Sequence, residues 1–102
     1  MGGCLMISNT EIIDLTNGLA LGVKINLGNA DFLLIKADRG YAVCGYFNTG
    51  FIDEVGDVAV QVKGVKDFKQ MLSKQVDFVS KSARELGVNE NMTVKQALEK
   101  FV

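Results

Sequence analysis

The chain has 102 residues, with 11 basic and 12 acidic side chains, a net charge of -1 and no histidine. This length allows one domain with one core, and the balanced charge gives no basis for binding nucleic acid or an anionic membrane surface. No apolar run approaches the ~20 residues needed to cross a bilayer, so we expect a cytoplasmic protein. Hydrophobic residues make up 48% of the sequence, which is high for a small monomer and predicts a homodimer or higher homo-oligomer.

The first half of the chain is predicted to be an antiparallel meander. Residues 1–9 are interpreted as a loose tail that precedes a single domain at residues 10–102. Asn17 and Gly18 tolerate positive φ and predict a type I′ hairpin turn, and turns are also predicted at 28–31 and 38–40. The strands between these turns are predicted at residues 11–15, 19–27, 32–37 and 41–44. In the second of them apolar and small or polar residues alternate over nine positions (LALGVKINL), which predicts a strand with one buried face.

A helix is predicted to connect this meander to a fifth strand. Residues 46–56 place Phe47, Phe51, Ile52 and Val55 on one apolar stripe, and Gly56 is suited to end the helix. Residues 57–63 return to a period of two. A helix between two strands forms a crossover, so we expect this fifth strand to lie parallel to a neighbour.

The remaining chain is predicted to be helical. A short helix includes Phe68, and a longer one is marked by Val76, Val79, Ala83 and Leu86 and ended by Gly87. The last helix begins at Thr93, which forms a capping box with Gln96. Phe78 lies off the stripe of the longer helix and is expected to pack on the last helix or face a partner subunit. The fold class is therefore α+β, a two-layer domain with a mainly antiparallel sheet of about five strands under C-terminal helices.

The residue types limit the available chemistry. Without histidine the chain cannot form a Cys-His or Ser-His pair or a histidine-dependent metal site. Its two cysteines, Cys4 and Cys44, are too few for a four-ligand zinc site or an iron-sulfur cluster within one chain. We expect no cofactor, and the sequence leaves open whether the protein is an enzyme.

Cys44 is the candidate catalytic residue. With Gly45 it precedes the helix predicted at 46–56, where free backbone amides would favour a thiolate or hold an anion. In that interpretation Gly45, Tyr46 and Tyr41 are candidate ligand-binding or anion-binding residues around it. The alternative is that Cys44 is a small buried core residue and Gly45 turns the chain.

Three carboxylates near the end of the first predicted helix are weak metal-ligand candidates. Asp53, Glu54 and Asp57 could bind Mg²⁺ or Ca²⁺ if their oxygens converged. Nothing in their spacing enforces convergence, and solvated charges at a helix end are much commoner. We therefore expect no metal site.

Several short motifs resemble one family. Gly40-Tyr41-Ala42-Val43-Cys44-Gly45 is the most specific of them; the others are Phe51-Ile52, Gly64-Val65, Glu85-Leu86-Gly87-Val88, Met92-Thr93 and Ala97-Leu98. Together they resemble the YunC-like proteins, small bacterial and archaeal proteins classed as a domain of unknown function, over roughly residues 10–102. The resemblance implies an α+β fold and a cytoplasmic, prokaryotic setting, and it implies that the cysteine is a family feature. The resemblance does not imply any particular activity for this chain.

Two functions from different classes remain. The first is a non-enzymatic homodimer that binds a small molecule or another protein, using an exposed sheet face or the surface around Phe78. The second is a thiol-dependent enzyme or redox sensor centred on Cys44.

Overall fold

The computed structural model describes residues 8–102. The loose tail expected at the N-terminus falls mainly on residues 1–7, which lie outside the described residues. Ser8 and Asn9 belong to the first strand, where they pair with Ile25 and Lys24.

The described chain forms one six-stranded sheet and four short helices, which confirms the α+β prediction with one more strand than expected. The strands are β1 (Ser8–Leu15), β2 (Gly18–Asn26), β3 (Asp31–Lys36), β4 (Tyr41–Val43), β5 (Ala59–Gln61) and β6 (Phe78–Val79). The helices are α1 (Thr49–Val55), α2 (Phe68–Ser73), α3 (Lys81–Glu85) and α4 (Val94–Glu99). The strands lie in the sheet in chain order. Only β4 and β5 are parallel neighbours, joined by the predicted crossover through α1.

The helices divide between the two faces of the sheet. Buried residues of α2, α3 and α4 pack with Leu33, Ile35 and Val60 on one side, which we call the helical face. On the other side Ile52 of α1 packs with Val43 and Ala59 in a second, smaller core. This second side is covered at β4 and β5, and α1 is the reason that these short central strands are buried on both faces.

The helix predicted around Val76 and Val79 is wrong in its first half. Phe78 and Val79 form β6, pairing with Gln61 and Val60, and Ser80 then caps α3 by accepting a hydrogen bond from the Ala83 amide at 3.2 Å. Phe78 packs with the smaller core under α1, so the predicted packing on the last helix is wrong. The other alternative, a contact with a partner subunit, stays a prediction. Pairing with β5 outweighed the helical spacing of these apolar residues.

The predicted helix ends are confirmed. Gly56 ends α1 in the left-handed conformation at φ 79°, and Gly87 follows α3 at φ 91°. Thr93 and Gln96 form the expected capping box at the start of α4. These glycines adopt a backbone conformation that other residues rarely tolerate.

The first hairpin turn differs from the predicted type. Strand pairing ends at Leu15 and Gly18, so the two-residue loop is Thr16–Asn17, and neither loop residue nor Gly18 has positive φ. The type I′ prediction is therefore wrong. The Glu99 carboxylate instead holds the turn, accepting hydrogen bonds from the Thr16 amide at 2.9 and 3.0 Å and from its hydroxyl at 2.8 Å.

Candidate functional site

The apolar stripe of β2 lies on the uncovered side of the sheet. Leu19, Leu21 and the following Leu27 are 58%, 41% and 54% exposed, whereas Ala20 on the other side is 3% exposed. The period-two prediction for this strand is correct, but the buried face is the one that carries the small residues. Helices of this chain cover the side of β2 that carries the small residues, and the side that carries the large aliphatic residues is exposed.

Gly22 explains how a helix can pack on the side of β2 that carries the small residues. A Cβ atom added at Gly22 would lie 2.9 Å from Cζ of Phe68 and 3.1 Å from Cδ1 of Ile13. The absence of a side chain thus lets the Phe68 ring of α2 approach the backbone of β2 directly. Small residues make the helical face of β2, and the large aliphatic residues point the other way.

Register extends the uncovered surface from β2 onto β1. Ile12 of β1 pairs with Leu21, Thr10 pairs with Val23, and Ser8 pairs with Ile25, and directly paired residues share one face. Ile12 is 62% exposed. We call this surface the open face and define it by five residues of β1 and β2: Ile12, Leu19, Leu21, Val23 and Ile25. Sequence reasoning could have found the open face from the two small residues opposite the stripe, Ala20 and Gly22.

Cys44 lies on the helical face, where it is 5% exposed and belongs to the main core. Its Sγ accepts a hydrogen bond from the Leu33 amide at 3.4 Å. A surface cleft of about 270 Å³ reaches Cys44 and is also lined by Asp31, Gly45 and Tyr46. The thiol therefore lies beneath the floor of a cleft and is largely covered.

The structure does not assemble the predicted helix-end site around this thiol. α1 begins at Thr49, and Asn48 caps it by accepting a hydrogen bond from the Phe51 amide at 3.2 Å. Gly45 lies under the Lys63 side chain, whose Cγ would be 3.3 Å from a Cβ added there. Cys44 is thus separated from the helix that was expected to favour its ionised form.

The two tyrosines proposed beside Cys44 do not converge on it. Tyr46 is 54% exposed at the rim of the cleft. Tyr41 points to the α1 side of the sheet, where its hydroxyl donates a hydrogen bond to Asp57 at 2.6 Å. Burial, this hydrogen bond and the charge of the carboxylate raise the pKa of Tyr41 above its usual range, so the hydroxyl stays protonated and links β4 to the segment before β5.

The three carboxylates of the metal hypothesis have separate surroundings. Asp57 accepts from Tyr41, Asp53 accepts from the Lys81 amide at 2.9 Å, and Glu54 is exposed. Within residues 8–102 no group of three histidine, cysteine, aspartate or glutamate side chains could hold a metal ion. The structure gives the hypothesis of a cation site at these positions no support.

The sequence matches the family described as "Domain of unknown function (DUF1805)" over residues 43–101, more than half of the chain. The chain belongs to this family. The DUF1805 match begins at the last residue of β4 and ends two residues past α4, so it includes Cys44 and Gly45. The resemblance to YunC-like proteins is also confirmed: the chain is 29% identical to the uncharacterized protein YunC of Bacillus subtilis (strain 168) over 84 residues, covering 78% of this chain and 83% of YunC.

A solved structure supports the fold of this DUF1805 protein. A protein of unknown function from Thermoplasma acidophilum is 36% identical to this chain, with a TM-score of 0.88 and 93% of each chain covered. This structural likeness covers more of the chain than the family match at residues 43–101 does. It therefore extends into the strands that carry the open face. Among residues 8–102, no helix is long and apolar enough to span a bilayer.

Proposed function

We propose that this protein is a non-enzymatic interaction domain that forms a homodimer, and that a second copy covers the open face. One observation carries the proposal: the large aliphatic side chains of β2 are exposed, whereas helices of the same chain cover its glycine-and-alanine side. An antiparallel sheet with a solvated face normally carries polar residues there. The five residues that define the open face are all aliphatic, and Ser8, Thr10 and Asp14 of β1 lie beside them.

The exposure of these aliphatic side chains supports burial in an assembly. Ile12 pairs with Leu21, Leu19 lies next to Leu21 on the same side of β2, and the three are 41–62% exposed. Contiguous exposed apolar patches commonly mark interaction sites. Each buried Å² contributes roughly 25 cal/mol, so covering several such side chains stabilises an assembly by several kcal/mol before the costs of association are subtracted.

The charges around the patch favour a second copy as the occupant. Asp14 and Lys36 are both exposed on the side of the sheet that carries Leu21, because they pair with Leu19 and Leu21 respectively. A twofold interface needs a surface that is complementary to itself, and a surface with both signs of charge meets that condition. The net charge of -1 also adds little repulsion between copies.

Sedimentation velocity of the full chain and two variants tests the proposal. The wild type should sediment as a dimer at micromolar concentration, and Leu21→Asp should be a folded monomer because this side chain is already 41% exposed. Tyr46→Asp is the matched control, since Tyr46 is 54% exposed but lies at the cleft near Cys44. It should remain dimeric.

Three outcomes would overturn the proposal. A wild type that stays monomeric up to millimolar concentration would show that no second copy covers the open face. A Leu21→Asp protein that still dimerises would place the interface elsewhere. A wild-type monomer that dimerises once residues 1–7 are deleted would show that the N-terminal segment occupies the face.

A second candidate function, a thiol-dependent enzyme or redox sensor, is supported by the cleft that reaches Cys44. Asp31 and Tyr46 line the same cleft and are polar groups that a ligand there could contact. The burial of Cys44 weighs against this function, because reactive thiols are normally exposed and lie in an electropositive environment. The rate at which iodoacetamide alkylates native Cys44 tests this second function.

A further inference from the structure

We propose that the cleft above Cys44 binds a small phosphate-bearing molecule, without forming a covalent bond to it. The cleft has a volume of about 270 Å³ and lies at the end of the sheet where β4 and β5 terminate. It is separate from the open face, so this inference does not depend on the proposed homodimer. The thiol takes no part in it.

The position of the cleft in the sheet is the first argument. β4 and β5 are parallel neighbours, and the chain leaves their carboxyl ends toward opposite faces. After β4 it enters α1 on one side, and after β5 it enters α2 on the helical face. The two departing segments diverge and leave a crevice between them. In open sheets with parallel strands, such a switch point is where ligands bind.

Both departing segments line this crevice. Residues 44–46 come directly after β4, and residues 64–65 begin three positions after the last residue of β5. The start of β3 contributes Ala30 and Asp31 to the lining. Gly45 and Gly64 carry no side chain, so a ligand can approach the backbone closely at both positions.

Free backbone amides are the second argument. Within residues 8–102, the amides of Gly45, Tyr46, Gly64 and Val65 donate no hydrogen bond to another group of the chain. Successive amides in a turn form concavities that hold anions. A phosphate group offers three terminal oxygens that can accept from both pairs of amides, whereas a carboxylate offers only two.

A buried side chain holds the first pair of amides in place. Gln61 is 2% exposed, and its side-chain amide donates to the carbonyls of Cys44 at 3.1 Å and Phe47 at 2.7 Å. The Phe47 amide also donates to the Cys44 carbonyl at 3.3 Å, which closes a turn over residues 44–47. The turn is therefore formed before a ligand arrives, which lowers the entropy cost of binding.

Two lysines place positive charge beside these amides. The Lys63 side chain lies across Gly45, with its Cγ 3.3 Å from a Cβ atom added there. Nζ of Lys74 would lie 3.6 Å from a Cβ atom added at Gly64. Among residues 8–102, Lys63 forms no ion pair, so its ammonium group is available to an anion.

The acidic residue of the lining does not cancel this charge. Asp31 forms an ion pair with Lys24 at 3.4 Å and accepts a hydrogen bond from the Asn26 side chain at 3.1 Å. Its carboxylate is therefore balanced within the chain. Hydrogen bonds from an ammonium group to a phosphate are roughly twice as strong as neutral ones, so we expect Lys63 to be the principal charged contact.

Tyr46 gives the cleft an apolar wall as well. Its side chain is 54% exposed at the rim, and the half-buried Val65 also lines the cleft. An aromatic ring on the ligand can stack on Tyr46, which strengthens binding by about 3- to 10-fold. A phosphate ester with an aromatic group should therefore bind more tightly than inorganic phosphate.

NMR titration of the isotopically labelled full chain tests the site at constant ionic strength. The probes are inorganic phosphate, phenyl phosphate and benzoate. Phenyl phosphate should shift the amide signals of residues 45, 46, 64 and 65 and saturate with a dissociation constant on the order of 1 mM. Inorganic phosphate should bind about 3-fold or more weakly than phenyl phosphate. Benzoate binding tighter than that of phenyl phosphate overturns the assignment of a phosphate.

Variants separate the cleft from the general charge of the protein. Lys63→Gln should weaken phenyl phosphate binding about 5-fold or more. Lys81→Gln makes the same change of charge at an exposed position of α3 and should leave the dissociation constant unchanged. Tyr46→Ala should reduce the affinity for phenyl phosphate to that for inorganic phosphate. All three side chains are exposed, and the dispersion of the amide signals checks that each variant is folded.

Two outcomes would overturn the proposal. Shifts that grow without saturating, or that spread over lysines throughout the chain, would show that phosphate binds only nonspecifically. Equal affinities for Lys63→Gln and Lys81→Gln would show that the cleft does not hold the anion. Leu21→Asp should bind phenyl phosphate as the wild type does, so failure of the homodimer and failure of this site are distinguishable.

Discussion

Gly22 lies directly against the ring of Phe68: a Cβ at position 22 would be 2.9 Å from Cζ and 3.0 Å from Cε1 of that ring. The missing side chain lets α2 lie close to β2 on the helical face. Because side chains alternate along a strand, Leu21 and Val23 on either side of Gly22 lie on the open face.

Gly22→Ala should destabilise the protein by about 1–3 kcal/mol, because the Phe68 ring must move in a filled core. The interaction energy between the two residues is measured by denaturant unfolding of four proteins. These are the wild type, Gly22→Ala, Phe68→Leu and the variant that carries both changes. The double variant should cost less than the sum of the two single changes. Strictly additive costs would show that the two residues do not contact each other.

The two glycines of the Gly40–Gly45 hexapeptide should respond differently to alanine. A Cβ at Gly40 would lie 2.6 Å from the Val58 carbonyl oxygen and 2.9 Å from the Phe101 ring, whereas at Gly45 it meets the flexible Lys63 side chain at 3.3 Å. Gly40→Ala should cost about 3 kcal/mol, and Gly45→Ala less than about 1 kcal/mol. Thermal unfolding measures both, and equal losses would refute this interpretation of the motif.

Cys44 should be protected from alkylation in the folded protein. The thiol is 5% exposed and accepts a hydrogen bond from Leu33. In a Cys4→Ser background we expect iodoacetamide to modify Cys44 slowly under native conditions and fully in guanidinium. If the native thiol reacts as fast as the unfolded one, Cys44 is accessible in the folded protein, and this result supports the thiol-dependent function.

Glu99 should make stability depend on pH at the acidic end. Hydrogen bonds from the Thr16 amide, and then from its hydroxyl, hold the pKa of Glu99 below its ordinary value of 4.5. The ionised form is therefore favoured in the folded state, and its contribution is present above pH 4.5 and lost as pH falls through the lowered pKa.

The variant Glu99→Gln tests this dependence. At pH 7 it should be less stable than the wild type by about 1 kcal/mol, since the carboxylate is partly exposed to solvent. That difference should narrow steadily in unfolding experiments below pH 4.5. A difference that stays constant down to pH 2 would mean that ionisation of Glu99 does not matter to the turn.

The strands and helix ends were predictable because local signals and packing agree there. The stripe around Leu21, the glycine at position 56 and the capping box at Thr93 each follow from short-range chemistry. β6 was not predictable from periodicity, because Val76, Val79 and Ala83 have helical spacing. The β-branched valines around Phe78, followed by a serine suited to cap a helix, were the available evidence for a strand.

The candidate surfaces were predictable only in part. The alternation in β2 indicated one covered face, but a glycine opposite a distant phenylalanine decided which one, and Gly22 and Phe68 are 46 positions apart in sequence. Likewise Cys44 could be located at a strand end, whereas its burial depends on packing with residues far along the chain. Sequence spacing does not encode such contacts.

The sheet order has a consequence for how the chain folds. Every strand lies beside its neighbour in sequence, so the sheet can grow by closing connections of no more than 16 residues one after another. The bond between Thr16 and Glu99 instead joins residues 83 positions apart. We therefore expect α4 to dock after the rate-limiting step, so that Glu99→Gln accelerates unfolding and leaves the folding rate nearly unchanged.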